Sequence, residues 1–231
     1  MNYESRILKV FCVIPAFNEE KTILEVINSV KPYVSEIVVV DDGSEDKTAY
    51  LVETPRLKVG TSLLKHIVNR GQGAALETGT EYALKRGADI IVHFDADGQF
   101  VAEEINDMVK LIKEGRADAV FGSRFLGKKS HLPFSKKYII MPLARLINKI
   151  LLGVDLTDPQ NGFRALSREA AVNLKIEQRG MAHCSEILYK VKSGGFRIDE
   201  APVTVIYHNF GQRFLGGLKI IKELFLGALL K

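Results

Sequence analysis

The 231-residue chain has no tryptophan, two cysteines and five histidines, and no apolar run near the ~20 residues that a membrane-spanning helix needs. Cys12 and Cys184 are too few for a disulfide scaffold and lack metal-ligand spacing, which points to a reducing, cytosolic setting. The apolar stretch from Ile7 to Ile14 is broken by Lys9 and ends at Pro15, so it reads as neither a transmembrane helix nor a signal peptide. Repeats, low-complexity tracts and linkers are absent, and prolines and glycines are scattered. Residues 1–231 are therefore expected to form one domain around one core.

What is present is unevenly charged. Residues 1–110 carry 12 basic and 18 acidic side chains, whereas residues 111–231 carry 20 and 10. The acidic half suits a cation, and the basic half suits phosphates or an anionic surface, although a charge excess is also what a solvated face looks like.

β-branched runs alternate with amphipathic stretches through the first half, the pattern of βα units and a mostly parallel sheet. Strands are expected at Ile7 to Ile14, Glu36 to Val40, Ser62 to Val68, Asp89 to Phe94 and Ala117 to Phe121. Helices are expected at Lys21 to Val30, Asp46 to Glu53, Gly73 to Arg86 and Ala102 to Lys113, with Ser44 as a cap for the second. The second half breaks this rhythm. It offers an amphipathic stretch from Ser135 to Leu152, a turn from Asp158 to Arg164, and helical segments near Ser167 to Leu174 and Ser185 to Ser193. A strand-like run from Ile198 to Tyr207 and an amphipathic helix from Leu215 to Leu230 complete it.

Polar residues cluster behind three strands: Asn18-Glu19-Glu20, Asp41-Asp42-Gly43-Ser44 and Asp95-Ala96-Asp97-Gly98-Gln99. Ligands of open α/β sheets bind beyond the carboxyl ends of the strands, so these segments are expected to converge on one crevice. If the chain stays extended, Asp95 and Asp97 point to one side and Gln99 continues the alternation. An all-oxygen set of that kind suits Mg²⁺ or Mn²⁺ rather than zinc, the competing reading being a solvated acidic turn. Asp42 is read as a ligand for a base N–H or ribose hydroxyls, against a plain strand-to-helix turn, and Asp41 is left open. The glycines of Asn69-Arg70-Gly71-Gln72-Gly73 would let backbone approach a ligand at a helix start. Among the histidines, His93 is expected to be packed, His66 and His131 have no partner that the sequence names, and His183 and His208 fit either substrate contact or a structural role.

Together with Pro15-Ala16-Phe17-Asn18-Glu19, Phe121-Gly122-Ser123-Arg124-Phe125 and Asn161-Gly162-Phe163-Arg164, these segments resemble family-2 glycosyltransferases in order and spacing, from about Val10 to Gly217. The likeness is greatest to the branch of dolichyl-phosphate mannose synthase and related polyprenyl-phosphate sugar transferases. The resemblance implies an α/β GT-A fold, a nucleotide-diphosphate sugar, a divalent cation and a polyprenyl phosphate acceptor at the inner membrane face, with no nucleic acid partner. Residues 1–125 would form the nucleotide-sugar and metal half, and residues 126–231 the acceptor and membrane-facing half.

By position, Pro15, Phe17, Glu19 and Asp42 would hold the nucleoside, with Ser44, Gly73, Asp95 and Ala96 also at the nucleotide sugar. Asp95, Asp97 and Gln99 would surround the metal and diphosphate, Arg124 and Arg164 would lie near the phosphates, and Glu186 matches an acidic position. Two departures stand out. The missing tryptophan removes the Gln-Xaa-Xaa-Arg-Trp motif of chain-polymerising synthases, and Arg213 stands, offset by one residue, where the branch commonly has a lysine.

The expected reaction is transfer of one sugar to a lipid phosphate whose oxygen is already anionic. The alternative is a family-2 enzyme acting on a soluble or glycan hydroxyl, with Asp158 or Glu186 as base. A sugar-1-phosphate nucleotidyltransferase would need a Gly-rich N-terminal loop with Arg and Lys, which Pro15 to Glu20 lacks. A non-catalytic binding module would not need intact metal and phosphate positions. The stretch with Lys136, Lys137, Arg145 and Lys149 fits an interfacial helix or an ordinary core helix equally.

Overall fold

The computed structural model describes residues 7–54, 60–127, 156–180 and 182–206. Seven strands form one sheet: β1 (Val10–Ala16), β2 (Glu36–Asp41), β3 (Thr61–Lys65), β4 (Ile90–His93), β5 (Ala119–Ser123), β6 (Arg164–Ser167) and β7 (Ile198–Pro202). Their order is β3-β2-β1-β4-β6-β5-β7, and every pairing is parallel except those of β6 with its two neighbours.

β1, β2 and β4 lie inside the sheet and are covered on both faces, which is why they read as continuous apolar runs. Cys12, Ile14, Ile37, Val39 and Val92 pack on one face, while Phe11, Val13, Val38, Val40 and Ile91 pack on the other. Helix α1 (Ile23–Val30) buries Ile23, Val26, Ile27 and Val30, the one-face spacing of a 3.6-residue period. Helix α3 (Gln72–Lys85) lies close enough to the sheet that a Cβ on Gly79 would sit 2.3 Å from Val13 Cγ1. Helices α2 (Thr48–Val52), α4 (Ile105–Lys113), α5 (Arg168–Val172) and α6 (His183–Ser193) complete the α-helices among the described residues.

The expected elements of the first half are all present, with ends shifted by up to three residues. β6 is the omission. Its four residues fall where the sequence predicts a turn running into a helix, because Asn161-Gly162 is a turn signal and a strand opening on arginine lacks an apolar pattern. Ser44 does not cap α2 either. The carboxylate of Asp46 accepts the Thr48 N–H at 2.9 Å, while Ser44 Oγ accepts the Asn18 N–H at 2.9 Å. The amphipathic stretches 135–152 and 215–230, with Arg213, His131 and His208, lie outside the described residues.

Candidate active site

The loops behind β1, β2 and β4 do meet. Asn18, in a left-handed conformation with φ 57°, donates its N–H to Ser44 Oγ and accepts the Glu45 N–H on Oδ1 at 2.9 Å. Glu19 N–H reaches Thr48 Oγ1 at 2.8 Å, so the β1 loop is stitched to the start of α2. Gln72 Nε2 donates to Asp95 Oδ1 at 2.8 Å and ties α3 to the loop after β4. Burial raises the Glu19 carboxyl, opposed by a hydrogen bond from Thr22 and aided by the negative charges of Asp97 and Asp46.

Asp95 and Asp97 are neighbours, though not by the predicted alternation. The strand ends at His93, and residues 96–98 turn, with Gly98 at φ +71° and Asp97 Oδ1 accepting the Gln99 N–H at 3.0 Å. Burial, then the charge of Asp97, pushes the Asp95 carboxyl up to about 7. A buried carboxylate destabilised by a second one is where a cation relieves both. Among the described residues no three acidic, histidine or cysteine side chains are arranged so that they could hold a metal ion. Two carboxylates so placed could hold a divalent cation that keeps several waters, as Mg²⁺ does. Gln99 closes the turn through its backbone, its carbonyl accepting the Ile206 N–H at 2.8 Å.

Asp42, 3% exposed, is heavily engaged: Oδ1 lies 2.6 Å from His66 Nδ1 and accepts the Arg70 N–H at 2.9 Å, and Oδ2 accepts the Gly71 N–H at 2.7 Å. Asp41 Oδ1 is buried without a hydrogen-bond partner. Phe17 is 44% exposed, open for stacking, whereas the side chains of Pro15 and Ala96 are buried. Any contact of Ala96 with a ligand would therefore run through its backbone.

The two glycines at the start of α3, Gly71 just before it and Gly73 as its second residue, are met by protein backbone. Gly73 donates its N–H to Arg179 O at 3.1 Å, and a Cβ there would stand 1.9 Å from Gln178 O. A Cβ on Gly71 would stand 2.4 Å from Arg179 O. The amino end of α3 is thus plugged by the 178–179 peptide. Glu186 holds this strap: its carboxylate accepts the N–H groups of Glu177 and Gln178 at 2.8–3.1 Å and lies 2.8 Å from Lys190 Nζ. That engagement corrects the expectation that Glu186 acts as a catalytic acid or base.

The two arginines part company. Arg124, following β5, remains 16% exposed and is gripped by Asp158, which is fully buried. Asp158 also accepts the Arg124 backbone N–H at 3.2 Å and Asn161 Nδ2 at 3.3 Å, so it has no face left from which to take a proton from a hydroxyl. Its own loop is held by Glu200, which accepts the N–H groups of Thr157 and Asp158 at 2.8–3.1 Å.

Arg164, in β6, has no exposed surface, and its Nε and Nη1 are buried without a hydrogen-bond partner. Its Nη2 donates to Asn161 O at 3.0 Å and to Cys184 Sγ at 3.4 Å, and its positive charge lowers the carboxyl of Asp95. Burial works to raise the Cys184 thiol, but the charges of His183 and Arg164 outweigh it and bring it down to about 6. Gly162, in the turn before β6, packs against Asp95: a Cβ there would stand 2.6 Å from Asp95 Oδ2 and force that carboxylate to shift. His93 is packed as expected, with Nε2 2.9 Å from Thr80 Oγ1, and His183 is structural, Nδ1 bonding Gly180 O at 2.8 Å.

The sequence profile described as Glycosyl transferase family 2 matches residues 11–174. The chain is 32% identical to a UDP-N-acetylglucosamine–dolichyl-phosphate N-acetylglucosaminyltransferase of Methanococcus voltae, over 93% of this chain and 94% of that one. It is 28% identical to a polyprenol monophosphomannose synthase of Mycolicibacterium smegmatis, over 92% and 83% of the two chains. The fold matches glucosyl-3-phosphoglycerate synthase from Mycobacterium tuberculosis, solved with Mn²⁺, UDP and phosphoglyceric acid, with a TM-score of 0.69 at 23% identity, over 94% of this chain and 77% of that one. With its GT-A fold, its convergent acidic loops and a profile match across most of its length, the chain belongs to glycosyl transferase family 2.

Proposed function

We propose that this protein transfers a single sugar from a nucleotide-diphosphate sugar to a polyprenyl phosphate, working at the cytosolic surface of a membrane without spanning it. The observation that carries the donor side is the Asp95–Asp97 pair at the carboxyl end of β4, one of them held near neutrality by burial and like charge. Mg²⁺ or Mn²⁺ held there, with Gln99 alongside, would neutralise the diphosphate as it leaves. The acceptor side is supported by relatives matched along most of their length and named for polyprenyl- or dolichyl-phosphate transfer. Among the described residues no helix is long and apolar enough to cross a membrane.

The chain's own residues would divide the work. Phe17, Glu19 and Asp42 line the nucleoside end, where Phe17 offers a ring face and Asp42 an acceptor. Arg124, fixed by Asp158, meets the negative charge that grows as the sugar–phosphate bond breaks. Arg164 acts from behind, easing the ionisation of Asp95. A phosphate monoester is largely ionised near neutral pH, with its second pKa at about 6, and needs no base to attack the anomeric carbon. The alternative, transfer to a hydroxyl, needs one, and both candidates, Asp158 and Glu186, are consumed by internal bonds.

The test is to incubate the protein with UDP- and GDP-sugars, Mn²⁺ or Mg²⁺, and either a short polyprenyl phosphate or soluble glycosides, and to identify products by mass spectrometry. Glycolipid phosphate is expected. Product on the soluble acceptors alone would sink the lipid reading and install the hydroxyl one.

A further inference from the structure

His66 is the first residue after β3, and its side chain ties together three elements that meet nowhere else in sequence. Its N–H donates to Asp41 O at 2.9 Å, continuing the β2–β3 ladder and fixing where the ring starts. The ring is 6% exposed, with Nδ1 2.6 Å from Asp42 Oδ1 and Nε2 3.0 Å from Thr78 Oγ1 in α3. An ionised carboxylate only accepts, so Nδ1 carries the proton in the first bond.

A carboxylate has about four lone-pair directions. On Asp42 three are occupied by protein donors: His66 and the Arg70 N–H on Oδ1, and the Gly71 N–H on Oδ2. Acceptor capacity for about one outside donor is left, on Oδ2. The backbone donors come from the loop that opens α3, so the position of Asp42 and the shape of that loop are set together. His66 is the one side chain among these donors, and it is braced from behind by Thr78.

We propose that His66 is a positioning residue for nucleotide recognition: by occupying Asp42 Oδ1 and bracing on Thr78, it turns Oδ2 toward a single N–H or O–H donor of the bound nucleotide. The proposal rests on the reading of Asp42 as a nucleoside ligand given above. A side chain that acts this way influences nucleotide affinity through Asp42 and nothing else.

The experiment measures the affinities of UDP and of GDP, each with Mn²⁺, by titration calorimetry, beside melting temperatures. His66→Ala is expected to weaken the nucleotide by ~10-fold or more, the scale of one hydrogen bond to a charged group. His66→Asn, whose amide nitrogen lies where Nδ1 lies, is expected to stay within about threefold of the parent. His66→Gln, which reaches toward Thr78 instead, should resemble alanine and replaces it in the comparison if His66→Ala does not fold. In an Asp42→Asn background, His66→Ala should cost no further affinity.

Unchanged affinity in His66→Ala, or an equal loss with and without Asp42, overturns the proposal, as would a fall in melting temperature alone. If Asp42→Asn leaves affinity intact, or the parent binds neither nucleotide, the underlying reading of Asp42 has failed and the proposal falls with it. If Asp42→Asn weakens binding and His66→Ala does not, only the role of His66 is lost.

Discussion

Asp158 grips Arg124 along one edge of its guanidinium, Nε to Oδ2 at 2.5 Å and Nη2 to Oδ1 at 2.7 Å, the acid being fully buried and the base 16% exposed. The two come from segments 34 residues apart, and the pairing sets the direction of the Arg124 guanidinium. Arg124→Ala is therefore expected to lower turnover by ~10²–10³-fold, the range seen when one preorganised charge-stabilising donor is removed. Nucleotide affinity should change much less. Asp158→Ala should lose ~3–5 kcal/mol of stability, since it strands a charge at a largely buried site. Steady-state kinetics beside denaturant unfolding checks both, and parent-rate turnover in Arg124→Ala would make that arginine structural.

Asp95 should be a source of instability without metal. Its carboxyl stands at about 7 in the folded protein against ~3.9 unfolded, so the folded state binds the proton more tightly. Its contribution to stability is complete below the unfolded value, declines as pH rises toward 7, and is gone above that. Every tenfold difference in proton affinity between the two states corresponds to ~1.4 kcal/mol, so Asp95→Asn should stabilise the metal-free protein at pH ~8 by up to a few kcal/mol and have little effect near pH ~4. Thermal melts at both pH values with and without Mn²⁺ test it. Metal should stabilise the parent and not the variant; equal response of the two would remove Asp95 from the metal site.

Gly73→Ala pits two effects against each other. Alanine inside a helix normally gains up to ~1 kcal/mol over glycine. Here the new methyl would meet the Gln178 carbonyl, backbone that Glu186 holds in place, and overpacking of this sort costs ~1–3 kcal/mol or more. A net loss is expected in urea unfolding, with impaired transfer because the strap must lift. A stabilised, fully active Gly73→Ala would show that the strap yields freely.

The charge division between the halves predicts salt-sensitive binding to anionic vesicles. Lys136, Lys137, Arg145 and Lys149 lie outside the described residues, but each basic group near an anionic surface contributes ~1 kcal/mol. Reversing all four to Glu should abolish co-sedimentation with phosphatidylserine vesicles. Equal sedimentation of parent and variant, or none by the parent, counts against a membrane role for this stretch.

The parts legible in sequence were those with local causes. Ile37 to Val40 announces an interior strand because four adjacent apolar residues leave no solvent face, and the acidic loops announce the carboxyl edge of the sheet because they follow such strands. β6 was hidden: Arg164 is held by Asn161 and Cys184, contacts that no periodicity encodes. His66 was illegible for the same reason, its partners lying 24 and 12 residues away. The glycines at the start of α3 were legible as sites of close approach but not as to what approaches, since the strap is about a hundred residues further on. Asp158 and Glu186 looked like free acids because sequence displays a carboxylate and not its hydrogen bonds.

The antiparallel strand also bears on how the chain is made. β5 emerges from the ribosome with its place in the sheet still missing a neighbour, because β6, which sits between it and β4, is synthesised some forty residues later. Until then the nascent chain presents an unpaired edge on β4 and both edges of β5, the kind of surface that invites association with other chains. Dividing the gene between β5 and β6 would make that transient state permanent, so neither fragment should be recoverable as a soluble protein on its own.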